Sequence, residues 1–252
     1  MLMVMLTASL CAVALLVGVL IGSVGVGGIL LIPALELLTP LNVQGAMATA
    51  LFTFIFTGIV GTCLFQRRGS INWALTQPLC LGGALFGVVG AWANTRLDAK
   101  VLALALALLI MAAGAYTLFS GGAWRPARFH DRPRHQQALL FAIGAVTGFG
   151  SGLTGVGGPA LAVPMLVLCG IPALSAIGAS QVIQIVASVS GSAVHLAHGN
   201  VDLQLAALLT LFEVLGVGIG VRLAHALDAR WLRRAVGLLC VAVGAALLVR
   251  LF

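Results

Sequence analysis

Long apolar runs separated by short polar turns carry most of this chain. A membrane-spanning helix needs about 20 mostly apolar residues. Runs at 3–22, 46–65, 73–93 and 101–119 meet that length in the first half. Between the first two lies a shorter apolar piece, 29–38, set off by Ser23-Val24-Gly25-Val26-Gly27-Gly28. The second half has the same order: 136–150, a glycine break, then 160–169, 176–196, 203–223 and 232–251. The one long polar stretch, 120–137, carries Arg125, Arg128, Arg132 and Arg134 together with Pro126 and Pro133. The pattern predicts an all-α polytopic membrane protein with a first repeat at 1–119, a linker at 120–135 and a second repeat at 136–252.

The halves also match residue by residue at an offset of 130. Gly25-Val26-Gly27-Gly28 recurs as Gly155-Val156-Gly157-Gly158, and Gly69-Ser70-Ile71-Asn72 as Gly199-Asn200-Val201-Asp202. Leu97-Asp98-Ala99-Lys100 recurs as Leu227-Asp228-Ala229-Arg230, and Gly61/Gly191, Gly90/Gly220 and Gly114/Gly244 hold the register. A glycine-interrupted apolar segment in corresponding places of two halves points to a transporter's binding site.

Composition narrows the class. The chain is 61% hydrophobic and 8% charged, against about 25% charged residues in a soluble protein. That leaves no room for a separate soluble catalytic domain. The net charge of +7 sits in short loops between apolar runs, as membrane orientation requires, so it does not indicate nucleic acid. Cys11, Cys63, Cys80, Cys169 and Cys240 are scattered singly, without metal-ligand or redox spacing. The apolar N-terminus lacks a basic n-region and reads as the first membrane helix. No Walker motif is present, so ATP would require another subunit.

Residues 3–38 are too long for one span, and 29–38 is short for a second. If the segment folds as a hairpin returning to its starting side, one face collects 10 of the 13 Lys and Arg residues: Arg67, Arg68, four linker arginines, Arg222, Arg230, Arg233 and Arg234. The other face keeps Arg96, Lys100 and Arg250. If it crosses once, the split is 7 against 6. Cytoplasmic loops hold the basic excess, which favours the hairpin. Two inverted repeats follow, each a glycine-broken helical hairpin plus three spanning helices, with the linker inside and both termini outside. Whether the hairpins re-enter or cross fully stays open, since both return the chain to the same side.

Inversion would bring Gly25, Gly27 and Gly28 close to Gly155, Gly157 and Gly158 near the midplane. Irregular backbone at that depth is tolerated only inside protein or beside a polar cavity. Glycine permits φ > 0 and close ligand approach, and the helix after each break starts with unpaired N–H groups at the positive end of its dipole. Pro159 suits a first-turn position. The competing reading is that these glycines only allow close helix packing.

These residues resemble the TauE/SafE family of sulfite exporters across both halves. The likeness rests on Gly-x-Gly-Gly, a short apolar helix with Pro33 or Pro164, and then Ala46-Met47-Ala48-Thr49 or Ala176-Ile177-Gly178-Ala179-Ser180. The Arg67-Arg68-Gly69-Ser70-Ile71-Asn72 and His198-Gly199-Asn200-Val201-Asp202 turns, and the glycine-rich third helix ending near Leu-Asp-Ala-Lys/Arg, fit the same pattern. The resemblance implies transport of sulfur oxyanions, small organic sulfonates or, in some members, other organic anions. Ala50 stands where a small hydroxyl residue is common, which leaves that role to Thr49.

Thr49, Thr53 and Thr57 lie on one helix face, as do Gln181, Gln184 and Ser188 beside Ser180 on the matching helix. They could supply neutral donors to an oxyanion, although Ser and Thr hydroxyls also bond their own helix carbonyls. Among ionisable groups, Glu36 and His198 sit near segment ends and His195 a turn from one. Glu213 is mid-helix and could couple protons. The expected substrate-binding set is Gly25, Gly27, Gly28, Thr49, Thr53, Gly155, Gly157, Gly158, Ser180, Gln181 and Gln184, with no catalytic residue, metal or cofactor. The expected function is a secondary transporter of the bacterial inner membrane that exports a small sulfur-containing anion. A proton-coupled importer of an organic anion and a non-transporting accessory subunit are the alternatives, and a homodimer is open.

Overall fold

The computed structural model describes residues 2–119 and 133–226, with isolated positions between 238 and 249. The described residues form helices α1 (Leu2–Val24), α2 (Gly28–Leu38), α3 (Val43–Arg67), α4 (Trp73–Asn94), α5 (Ala99–Phe119), α6 (Pro133–Thr154), α7 (Pro159–Leu168), α8 (Ala173–Ala197) and α9 (Leu203–Ala226). Most of the expected linker, and the span expected at 232–251, lie outside the described residues. The linker's last three residues are helical, because Pro133 opens α6, a position where its fixed φ costs nothing. Of the described helices, α1, α3, α4, α6, α8 and α9 are long and apolar enough to cross a membrane.

Helix ends follow local chemistry repeated in both halves. Asn42 Oδ1 accepts from Gly45 N at 2.8 Å and Asn72 Oδ1 from Ala74 N at 3.1 Å, opening α3 and α4. Asp202 Oδ1 accepts from Leu205 N at 3.0 Å and opens α9. The ends of α3 and α8 are the same motif twice. Gly69 and Gly199 both take φ +67, so that Ser70 N reaches Phe65 O and Asn200 N reaches His195 O, each at 3.1 Å. Glycine after the cap meets this left-handed geometry without a Cβ penalty.

Lipid gives apolar side chains no reason to leave it, so helices in a bilayer associate through close packing at small residues. Two seams here do so. A Cβ added at Gly18 or Gly22 of α1 would overlap the carbonyls of Glu213 or Val217 on α9. One added at Gly216 or Gly220 would overlap those of Leu15 or Val19 on α1. In the matching seam, Gly82 and Gly90 of α4 lie on the Phe141 and Phe149 carbonyls of α6, and Gly144, Gly148 and Gly152 of α6 lie on those of Leu79, Gly83 and Gly87. Each half thus packs its first helix against the other half's third spanning helix.

The residue pairs in contact fix the helix directions. In α1–α9 and α4–α6 the partners' numbers rise together, so each pair is parallel. Along α4 and α8, Gly83 meets Ile183, Gly87 meets Ala187 and Ala91 meets Gly191, again parallel. Across α3 and α8 the order reverses: Leu51 meets Gly191, Phe54 bonds Gln184, and Gly61 meets Gln181. Arg68 Nη1 on Val221 O sets the end of α3 beside the end of α9. Accordingly α1, α3 and α9 run one way, and α4, α6 and α8 the other. The corresponding pairs α1/α6, α3/α8 and α4/α9 are therefore opposed.

The seams predict a contrast in stability. Gly152→Ala must push α4 off α6 and should lower stability by about 1–3 kcal/mol. Gly218→Ala, with nothing within 4 Å of its added Cβ, should melt at or slightly above the parent temperature. Thermal unfolding of the detergent-solubilised variants reads both.

Candidate anion site where the halves cross

The two glycine breaks touch at the centre of the bundle. A Cβ added at Gly28 would overlap Val156 O, and one at Gly25 would lie 2.9 Å from Val163 Cγ2, 3.4 Å from Pro159 Cβ and 3.6 Å from Ser180 Oγ. Their levels correspond to Phe54 and Gln184, each near the midpoint of its helix. Gly25, Gly155 and Gly157 take φ of +78, +67 and +85, a region that other residues rarely enter. Gly27 and Gly158 are different: both have helical backbone, φ −77 and −60, and serve as the N-caps of α2 and α7.

A narrow gap lies here, lined by Ile21, Gly25, Gly28, Val156 and Pro159 together with Phe54 and Gln184. It is closed in this conformation, with no room for a water molecule, so a ligand enters only when a lining side chain moves. The N-termini of α2 and α7 both reach it, and neither has a side-chain cap. The first residues of both helices are buried. A buried helix start without a cap leaves N–H groups in need of a partner. Each start carries roughly +0.5 of charge from its dipole, so the two together make the gap electropositive without a cationic side chain in the lining.

The structure distributes the expected side chains unevenly. Gln184 lines the gap, and its Nε2 donates to Phe54 O at 3.0 Å and Thr57 Oγ1 at 2.8 Å, tying α8 to α3. Ser180 lies beside Gly25 but donates to Ile177 O of its own helix at 2.7 Å. Gln181 turns away: Nε2 points at Ile21 O, 3.4 Å distant, while Oε1 faces Gly61 and has no hydrogen-bond partner. Thr53 donates to Ala50 O at 2.8 Å, the intrahelical bond that competes with ligand contact. Thr49 stands apart from the gap, where its hydroxyl accepts from Asp202 N at 3.1 Å and secures the α8–α9 turn. Among the described residues no group of three or more His, Cys, Asp or Glu side chains could hold a metal ion.

Sequence reasoning missed Phe54. Its ring covers both breaks, 2.8 Å from an added Cβ at Gly28 and 3.0 Å from one at Gly157. The signal was present in the repeat: Phe54 is the counterpart of Gln184 at the same offset of 130. One half thus supplies a polar group to the centre and the other an apolar plug.

A model of the family described as sulfite exporter TauE/SafE matches residues 10–247. The chain belongs to that family. Two Bacillus subtilis (strain 168) proteins are similar along nearly their whole lengths. One, the probable membrane transporter protein YjnA, is 28% identical, covering 89% of this chain and 93% of its own. The other, the probable membrane transporter protein YunE, is 25% identical, covering 86% and 88%. No solved structure gives a significant match. This member of the sulfite exporter TauE/SafE family is accordingly a multi-pass membrane transporter.

The breaks differ in what they tolerate. A Cβ on Gly27 would overlap Val17 O and lie 2.7 Å from Ile21 N of α1, so Gly27→Ala should unseat the hairpin and cost about 1–3 kcal/mol. On Gly158 it would lie 3.2 Å from Ile183 Cγ2 and 3.3 Å from Gln184 N, a fit that small adjustments accommodate. Melting of the two variants should separate them clearly, with Gly158→Ala close to the parent.

Proposed function

We propose that this transporter exports a small sulfur-containing anion, sulfite or an organosulfonate, across the bacterial inner membrane, by inverted repeats that bind it between their glycine breaks. The observation that carries this reading is the meeting of two uncapped, buried helix N-termini in one small gap. The opposed directions of corresponding helices support it, because alternating access in such transporters rocks one repeat against the other around a fixed site. The proposed site is Gly25, Gly27, Gly28, Gly155, Gly157 and Gly158 with Ser180 and Gln184, and Phe54 as the group that must move. Thr49, Thr53 and Gln181 support the helices around it. For an anion leaving a negative-inside cell, the membrane potential supplies about 2.3 kcal/mol per charge per 100 mV, so export requires no coupling ion.

Orientation in the membrane follows from charge. Arg67, Arg68 and Arg222 share the end of the bundle where α3 and α9 finish, as Arg68 on Val221 O and Ser70 on His225 Nε2 indicate. The opposite end carries Arg96 on the α4–α5 turn, where Gln44 Nε2 donates to the carbonyls of Asn94 and Leu97. The arginine-rich end is assigned to the cytoplasm. A cysteine introduced at Ser120 should therefore react with an impermeant reagent only from inside, and one at Leu97 only from outside. Labelling of both from one side would remove the inverted arrangement.

A second reading has one observation in its favour. The Glu213 carboxyl is fully buried on α9 beside the Thr53 hydroxyl. Thr53 spends its proton on Ala50 O, so neither carboxylate oxygen receives a hydrogen bond. An intramembrane carboxyl of this kind is a natural proton carrier for coupled import. One proteoliposome experiment separates the readings. Sulfite efflux driven by potential should fall about ten-fold in Gly158→Ala and stay near wild type in Glu213→Gln. The methyl added at Gly158 presses on Ile183 and the Gln184 backbone and shifts the start of α7 enough to weaken about one charge-assisted hydrogen bond. Uptake driven by a proton gradient that vanishes in Glu213→Gln would favour the importer.

A further inference from the structure

Away from the central gap, unpaired polar groups gather at the end of the bundle opposite Arg67 and Arg68. Asn94, the last residue of α4, is fully buried; its Nδ2 donates to Leu153 O at 2.7 Å and lies 3.4 Å from Met47 Sδ, while Oδ1 has no partner. His195 of α8 is also fully buried, and its imidazole faces the backbone of Gly152, the residue next to Leu153, with neither ring nitrogen hydrogen-bonded. Ser151 on the same turn of α6, and Ser192 one turn before His195, are buried to 1% exposure with hydroxyls that have no partner. The side-by-side course of α4 and α8 at this level is set by Ala91 Cβ, 3.7 Å from an added Cβ at Gly191.

Buried polar atoms without partners on four side chains of three converging helices are costly, since each forfeits the hydrogen bonds it had in water. Packing does not require them, because the matching place in the other half is built differently. At the offset of 130, Ser151 corresponds to Ile21, Ser192 to Thr62, His195 to Phe65 and Asn94 to Ala224. Phe65 and Ile21 are fully buried there, and Phe65 packs against the His225 ring at 5.4 Å. The same fold thus sets Phe65 and Ile21 toward one face where His195 and Ser151 stand toward the other.

We propose that Asn94, Ser151, Ser192 and His195 form an outer subsite that a small oxyanion occupies on its way from the central gap to the outer face. The inference rests on the exporter reading for its direction. Ser151 and Ser192 hydroxyls and an imidazole N–H donate to the oxyanion, and Asn94 Oδ1 accepts from a protonated oxygen or a carried water. The inner counterpart has Phe65, Ile21 and Ala224 in place of His195, Ser151 and Asn94 and so offers the anion fewer donors, which makes the cluster a stop on the outer side only.

The test compares sulfite efflux from proteoliposomes carrying wild-type protein, His195→Phe, which installs the residue of the other repeat, and His195→Gln, which keeps a donor. Efflux should slow about ten-fold in His195→Phe and remain near wild type in His195→Gln, with melting temperatures preserved. Wild-type rates in His195→Phe, or equal slowing in both variants, would overturn the subsite. A second arm does not depend on sulfite: Ser192→Cys and Thr62→Cys are exposed to an anionic, impermeant methanethiosulfonate outside right-side-out vesicles, with wild type as the background. Ser192→Cys should react and Thr62→Cys should not; failure at Ser192→Cys overturns the outer path. If wild-type protein moves no sulfite, the exporter reading fails, and the labelling arm alone decides the path.

Discussion

Broken backbone inside a bilayer must be enclosed by protein, and this chain has two such breaks. In hydrocarbon an unpaired N–H or C=O has no water to turn to, so neither break could face lipid. The fold meets the constraint by bringing both to the same enclosed place, Gly28 on Val156 O and Gly25 on Pro159. The other helices are arranged around that contact. α1 and α6 must carry the breaks to the centre, and α3 and α8 must cover them from opposite directions. The glycine seams of α1 with α9 and α4 with α6 then hold each half against the other.

The same contact is what would let a chain with so few charged groups hold the proposed anion. Two short helices begin at the breaks without side-chain caps, and their partial charges point into one gap. An arginine there would hold an oxyanion too firmly for release and would itself cost free energy in lipid. Neutral dipoles bind more weakly and need no counter-ion when the site is empty. Phe54 and Gln184, counterparts in the repeat, divide the work between closing the gap and cross-linking α3 to α8.

Departures from the repeat are as informative as its agreements. Glu213 and Thr53 form a buried polar pair whose counterparts, Gly83 and Ile183, pack as glycine against an aliphatic side chain. His195 and Asn94 stand where the other half has Phe65 and Ala224. A protein of two identical halves would present the same path to both sides of the membrane. Substitutions confined to one half give the two ends of the bundle different chemistry.

Much of this was already decided along the chain. Apolar runs of spanning length, the short α2 and α7 after Gly25–Gly28 and Gly155–Gly158, and the polar turns at Asn72 and Asp202 are properties of single segments in lipid or at its surface, so hydropathy and glycine spacing determine them. The Schellman ends at Gly69 and Gly199 are local in the same sense. Tertiary structure decided what each side chain faces. Thr49 and Thr53 share a helix face with Thr57, yet one holds the Asp202 amide, one lies beside Glu213 and one takes the Gln184 proton. Gly27 and Gly157 hold the same place in the repeat, but only Gly157 has a positive φ, while Gly27 is a glycine because α1 passes against it. The Phe54 plug and the Asn94–His195 cluster each draw on several helices. Their contacts depend on how deeply those helices interlock, and the glycine seams between the halves set that depth, which no single segment contains.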